Sequence, residues 1–263
     1  MNLGGYFIEH PVSYGLIAAF VLIFIAGLND AGMTYRWMLS TYNIKNRREW
    51  YRLFSSGFVH NGWMHLLLNC LGIYFFGTLV EYLSGGILTL SIFLASVLGG
   101  GLFAWFIRRG DTDYQAVGAS GGVMGLLMCA VMWFDGIQLG LFLIPIAIPG
   151  WIFVILFNIG SIVMTQTSDR NRISHEGHLG GALIGGLIGY YFTPQVPMTH
   201  SWWAFWLGTA PILLFAIAHG LRPRGVVTAD GRLRAAQDVA EAQREFARLE
   251  GLGQIVIRPE FQS

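Results

Sequence analysis

Apolar residues in this chain gather into long runs separated by brief polar punctuation, covering roughly 11–28, 58–83, 87–107, 116–134, 139–164, 178–192 and 202–221. At about 1.5 Å of rise per residue, runs of this length cross about 30 Å of hydrocarbon as helices. The pattern predicts an all-α polytopic membrane protein with seven spans in one bundle. The short connections carry breakers and charges: Ser84-Gly85-Gly86, Arg108-Arg109-Gly110-Asp111, Asp135-Gly136 and Ser168-Asp169-Arg170-Asn171. Pro145, Pro149 and Gly150 are expected to bend or loosen the fifth span. Between the first two runs, residues 29–56 mix Tyr35, Trp37, Tyr42, Trp50 and Tyr51 with Arg36, Lys45, Arg47, Arg48 and Arg52, a composition suited to the bilayer surface.

The pattern divides the chain into a short N-terminal segment (1–10), a membrane domain (11–221) and a charged tail (222–263). The first run lacks a basic leader and a small-residue cleavage site, so a retained span is expected. Within the tail, Leu233, Val239, Phe246 and Leu249 form a sparse apolar stripe over 229–250, the mark of a short amphipathic helix. A solvated or interface-resting tail is the plainer reading, a partner-binding device the sharper one.

Composition agrees with the pattern. With 54% hydrophobic and 12% charged residues and a mean hydropathy of +0.54, the chain has more apolar surface than a soluble domain of this size can bury. The mixed charge of the tail and the lack of a phosphate loop or nucleic-acid module make the lipid bilayer, not nucleic acid, the expected partner. Cys70 and Cys129 lie in apolar runs and read as buried thiols.

The chemistry sits among the apolar runs. Ser120 stands in Gly118-Ala119-Ser120-Gly121-Gly122-Val123-Met124-Gly125, at the start of the fourth run. A glycine-flanked serine at a helix start can meet a reacting carbonyl while unpaired backbone N–H groups face the developing negative charge. The same glycines could serve helix packing alone. In the second run, His65 and Asn69 share a helix face and His60 lies near its entrance. Polar groups in such company are functional candidates or hydrogen-bonded struts. In the sixth run, His178, Gly181, Gly185 and Gly189 fall on one face. That smooth face is expected to meet Gly118, Gly122 and Gly125, bringing His178 to Ser120 as nucleophile and general base. His175, Glu176 and His178 form HExH, one residue short of the zinc spacing HExxH, so no metal is expected.

Taken together, these residues resemble the rhomboid family of intramembrane serine proteases, over a core of about 49–192. The resemblance rests on Glu49 and Arg52 before the second span, on His60, His65 and Asn69 within it, on Gly118-Ala119-Ser120-Gly121, and on His178 with Gly181 and Gly185. It implies a six-helix bundle with one extra C-terminal helix, and no cofactor. It also implies a catalytic Ser120–His178 dyad, an oxyanion hole of Asn69, His65 and the Ser120 N–H, and supporting roles for His60, Arg52 and Glu49. Gly118, Gly121, Gly125, Gly181 and Gly185 would pack the helices. Substrates would be single-span or other transmembrane proteins, in a bacterial inner membrane. The family commonly places an aromatic ring four residues after the serine, against the imidazole; here that position is Met124. The alternative is a catalytically silent relative that binds or escorts membrane clients.

Charge placement predicts an orientation. With seven spans, all sixteen Lys and Arg residues fall on one side, and Glu9, Glu81 and Asp135 on the other. The positive-inside rule assigns the basic side, with the tail and the face bearing Ser120, to the cytoplasm.

Overall fold

Helix α1 (Pro11–Asn29) starts on a proline, which costs nothing at a position whose N–H would be unpaired anyway. No side chain of its own caps it. Instead the buried carboxylate of Glu81 accepts from Val12 N at 2.9 Å, Ser13 N at 2.8 Å and Ser13 Oγ at 2.6 Å. The computed structural model describes residues 9–134, 136–141, 144–166, 174–192 and 201–221. Residues 1–8, Asp135, the connection carrying Asp169 and Arg170, and the tail 222–263 with its expected amphipathic helix lie outside the described residues. The described residues up to Gly220 form one compact unit.

Glu81 belongs to α5 (Trp63–Ser84), which widens into a π turn at Ile73–Gly77 and ends at Gly85, where φ is +78°. Helix α6 (Gly86–Arg108) runs back beside it. By length and composition, α1, α5 and α6 are each able to cross a membrane. Between α1 and α5 lie α2 (Ala31–Trp37), α3 (Thr41–Arg47) and α4 (Arg52–Ser55). Strand β1 (Leu39–Ser40) in this segment pairs antiparallel with β2 (Gln115–Ala116), Leu39 opposite Ala116 and Ser40 opposite Gln115. The long first connection is thereby laced to the backbone just before Ser120.

The remaining helices are α7 (Ser120–Trp133), α8 (Gly150–Gln166), α9 (His175–Phe192) and α10 (Ser201–Leu221). The expected fifth span is corrected at its start. Residues 138–149 form a hairpin of β3 (Gln138–Leu141) and β4 (Ile144–Pro149), with Leu139 opposite Ile148 and Gly140 opposite Ala147. Pro145 and Pro149 lack helix donors while Ile144, Ile146 and Ile148 favour extended backbone, so the helix begins only at Gly150.

Helix α9 packs between α6 and α7, and at several glycines the contact is made by backbone alone. A Cβ on Gly180 would stand 2.7 Å from Gly99 O, one on Gly181 2.7 Å from Gly121 Cα, and one on Gly185 2.5 Å from Gly125 O. Backbone touches backbone, which only glycine permits. The expected α7 face is corrected in two places: Gly122 turns toward Phe93 and Val97 of α6, and Gly118 faces His65. Of these glycines, Gly125 meets α9, and so does Gly121.

Candidate active site

Ser120 is the first residue of α7, where backbone N–H groups lack intrahelical partners. The chain enters it through Gly118 at φ +121°, a conformation other residues rarely adopt. Space imposes the same choice, since a Cβ there would sit 2.5 Å from His65 Nε2. Gly118 N donates to Ser56 O at 2.9 Å, and Thr41 N to Tyr114 O at 3.3 Å, so the first connection holds this turn from the other side.

The glycine contacts of α9 bring His178 Nε2 to 2.7 Å from Ser120 Oγ. His178 is buried, and its Nδ1 has no hydrogen-bond partner among the described residues. For Nε2 to accept the serine proton, the ring hydrogen must reside on Nδ1. Among the described residues no carboxylate bonds Nδ1 to fix the tautomer, so packing must orient the ring. Phe157 of α8 leans on it with centroids 5.4 Å apart, and His175 approaches edge-on at 5.8 Å. Met124 is buried in a cluster with Leu179, Ala182 and Val154.

The other expected site residues fall in two groups. His65 borders the turn before Ser120 and its Nδ1 accepts from Asn61 N at 3.4 Å. Asn69 is buried and donates through Nδ2 to His65 O at 2.8 Å, which leaves its second amide hydrogen for another acceptor. His60 is buried against Phe20 at 5.3 Å and His65 at 5.4 Å, its ring nitrogens unpartnered among the described residues. Glu49 and Arg52 lie in the first connection, apart from the Ser120–His178 contact. Buried Arg52 donates through Nε to Glu49 Oε2 at 2.5 Å, and through Nη1 to Tyr35 O at 2.7 Å and Met38 O at 2.9 Å. One guanidinium thus ties a carboxylate and two backbone carbonyls of the first connection together.

The sequence reading missed a second polar cluster, which anchors the start of α9. Buried Glu176 accepts from Arg108 Nε at 2.5 Å and from Tyr114 OH at 3.0 Å, and Arg108 also donates to Thr165 O at 2.7 Å. Tyr114 OH contacts Ser174 Oγ at 2.7 Å. Burial, then the neighbouring carboxylate, holds the Tyr114 phenol well above its usual range. The HExH spacing drew attention to Glu176, but its oxygens are occupied by these partners. A cavity of about 30 Å³ opens beside Ser120, lined by Ser56, Gly100, Ala116, Gly118, Gly121 and Ser174 among others. It is of the order of a few atoms in size.

Fold and site define a helical membrane protein in which a serine and a histidine meet inside the bundle. Residues 47–195, more than half of the chain, match the Rhomboid domain, and the chain belongs to the rhomboid family. It is 29% identical over 198 residues to RHOMBOID-like protein 12, mitochondrial, of Arabidopsis thaliana, covering 68% of this chain and 57% of that protein. It is 27% identical over 202 residues to Rhomboid protein 1, mitochondrial, of Saccharomyces cerevisiae, covering 73% and 56%. With Rhomboid protease GluP of Bacillus subtilis the identity is 30% over 181 residues, covering 67% and 33%. The chain thus spans little more than half the length of the first two relatives and a third of the last. It is a multi-pass membrane protein.

Proposed function

We propose that this chain is an intramembrane serine endopeptidase that cuts transmembrane helices by a Ser120–His178 dyad. The observation carrying this reading is the 2.7 Å contact between Ser120 Oγ and His178 Nε2 in a buried site. Ser120 Oγ attacks the scissile carbonyl carbon as its proton passes to His178 Nε2. The oxyanion takes hydrogen bonds from the Ser120 N–H, the free Asn69 amide hydrogen and His65. His178 then protonates the leaving amine, and water hydrolyses the acyl-enzyme by the same route. His60, Arg52 and Glu49 hold the entrance of α5 and the first connection around this centre.

The substrate class follows from the same site. The carbonyls of an intact helix are engaged in hydrogen bonds, so the substrate must unwind locally, and small residues suit the cavity beside Ser120. We read the bundle as six helices plus α10. The basic connections on the Ser120 side support a cytoplasmic site and tail in a bacterial inner membrane.

The test is labelling of the full chain with a fluorophosphonate, beside cleavage of a single-span reporter. Wild type should label at Ser120 and cut, while Ser120→Ala and His178→Ala should do neither yet melt like wild type. Cleavage by both variants at the wild-type rate would overturn the dyad. A wild type that binds the reporter without cutting or labelling would point to the client-binding alternative.

A further inference from the structure

We propose that Phe157 is a positioning residue for the base, and that α10 holds it in place through a hydrogen bond from Asn158 to Gly208; this rests on the function proposed above. The imidazole of His178 has no partner on Nδ1 among the described residues, so its orientation depends on what packs against the ring. Met124, on the helix that bears the serine, contributes a flexible thioether to the neighbouring apolar cluster. The aromatic surface comes from Phe157 of α8, tilted 44° to the imidazole at 5.4 Å. Phe153, one turn earlier, stacks on Phe157 at 5.8 Å and extends the aromatic wall.

A ring carried on another helix is only as well placed as that helix. The residue after Phe157 is Asn158, fully buried, and its Nδ2 donates to Gly208 O of α10 at 2.9 Å. A carboxamide in so apolar a helix is costly unless it is bonded. Its acceptor neighbours Leu207 O, the carbonyl that Pro211 leaves without an intrahelical donor. Gly208 allows the approach: a Cβ there would lie 3.3 Å from Val154 Cγ1 of α8 and 3.2 Å from Met128 Cε of α7. Val154, Ile212, Met124 and Leu179 then close one apolar cluster joining α7, α8, α9 and α10. The C-terminal helix is therefore continuous, through two adjacent residues of α8, with the orientation of the base.

The experiment measures fluorophosphonate labelling of the full chain, resolving the maximal rate kinact from the half-saturating concentration, with thermal unfolding in parallel. Phe157→Ala should lower kinact by about tenfold to a hundredfold at an unchanged half-saturating concentration. Phe157→Tyr, which keeps the ring, should recover the rate, whereas a variant that merely weakened the fold would show its loss in the melting curve. Asn158→Ala should lower kinact in the same pattern and add little to Phe157→Ala, because both act through one ring. Leu156→Ala, on the exposed side of α8, is the control and should label as wild type. An active wild type with Phe157→Ala at full rate overturns the positioning role alone. Additive losses from Phe157 and Asn158 overturn the link to α10. A wild type that does not label overturns the proposed function and this inference with it.

Discussion

The contact between α7 and α9 can be tested by adding a single methyl group. In Gly185→Ala, the new carbon would stand 2.5 Å from the carbonyl oxygen and 2.6 Å from the carbonyl carbon of Gly125. Carbon atoms rest at about 3.5–4.0 Å from such neighbours, so α9 must withdraw by about 1 Å at this level. Nothing flexible can yield, since the obstacle is backbone. Two bonds oppose the withdrawal: Cys129 Sγ to Gly185 O at 3.2 Å and Trp133 Nε1 to Gly189 O at 3.0 Å. Overpacking of this kind costs about 1–3 kcal/mol, which leaves most molecules folded. The catalytic cost is larger, because His178 lies two turns along the same face and a misplacement of about 1 Å at a reacting pair costs about a hundredfold in rate. Reporter cleavage and thermal unfolding of the purified protein should be measured together, with Leu187→Ala, on an exposed face of α9, as control. Gly185→Ala should lose far more activity than stability. Wild-type cleavage by Gly185→Ala would refute the backbone contact as the device that sets the Ser120–His178 distance.

Two further outcomes are expected. Glu81→Ala should strip three hydrogen bonds from the first turn of α1, costing about 3 kcal/mol or more and lowering the melting temperature while leaving kcat at low temperature close to wild type; an unchanged melting temperature counts against the cap. A fluorescent protein fused at Ser263 should fluoresce and a phosphatase fused there should stay inactive in intact cells; phosphatase activity would reverse the orientation proposed for the tail.

What the sequence made legible follows from the range over which its signals act. Helix starts and faces are local, so Ser120 at the head of an apolar run and the spacing of His178, Gly181 and Gly185 could be read directly. The hairpin at 138–149 was hidden because a continuous apolar run has no period to separate strand from helix; Pro145 and Pro149 were the available signal. The partners of buried polar groups were not legible, since Glu81 and Val12, or Arg108 and Glu176, are distant in sequence and meet only through packing. Phe157 left no mark at all, being one aromatic residue in an apolar stretch. Gly122 shows the limit of face arguments: spacing put it on a smooth ridge but could not say which neighbour, α6 or α9, the ridge would meet.

The carboxylate that caps α1 also imposes an order on the making of the molecule. Val12 and Glu81 are 69 positions apart in the chain. A ribosome adding about 5–20 residues per second makes the acceptor about 3–14 s after the donors. Through that interval the leading end of the first helix has two backbone hydrogens and a hydroxyl with no protein acceptor from Glu81, and hydrocarbon offers them none. The newborn helix must therefore keep that end in water or among lipid headgroups until the second long helix arrives. The seating of α1 is then completed only by the far end of α5.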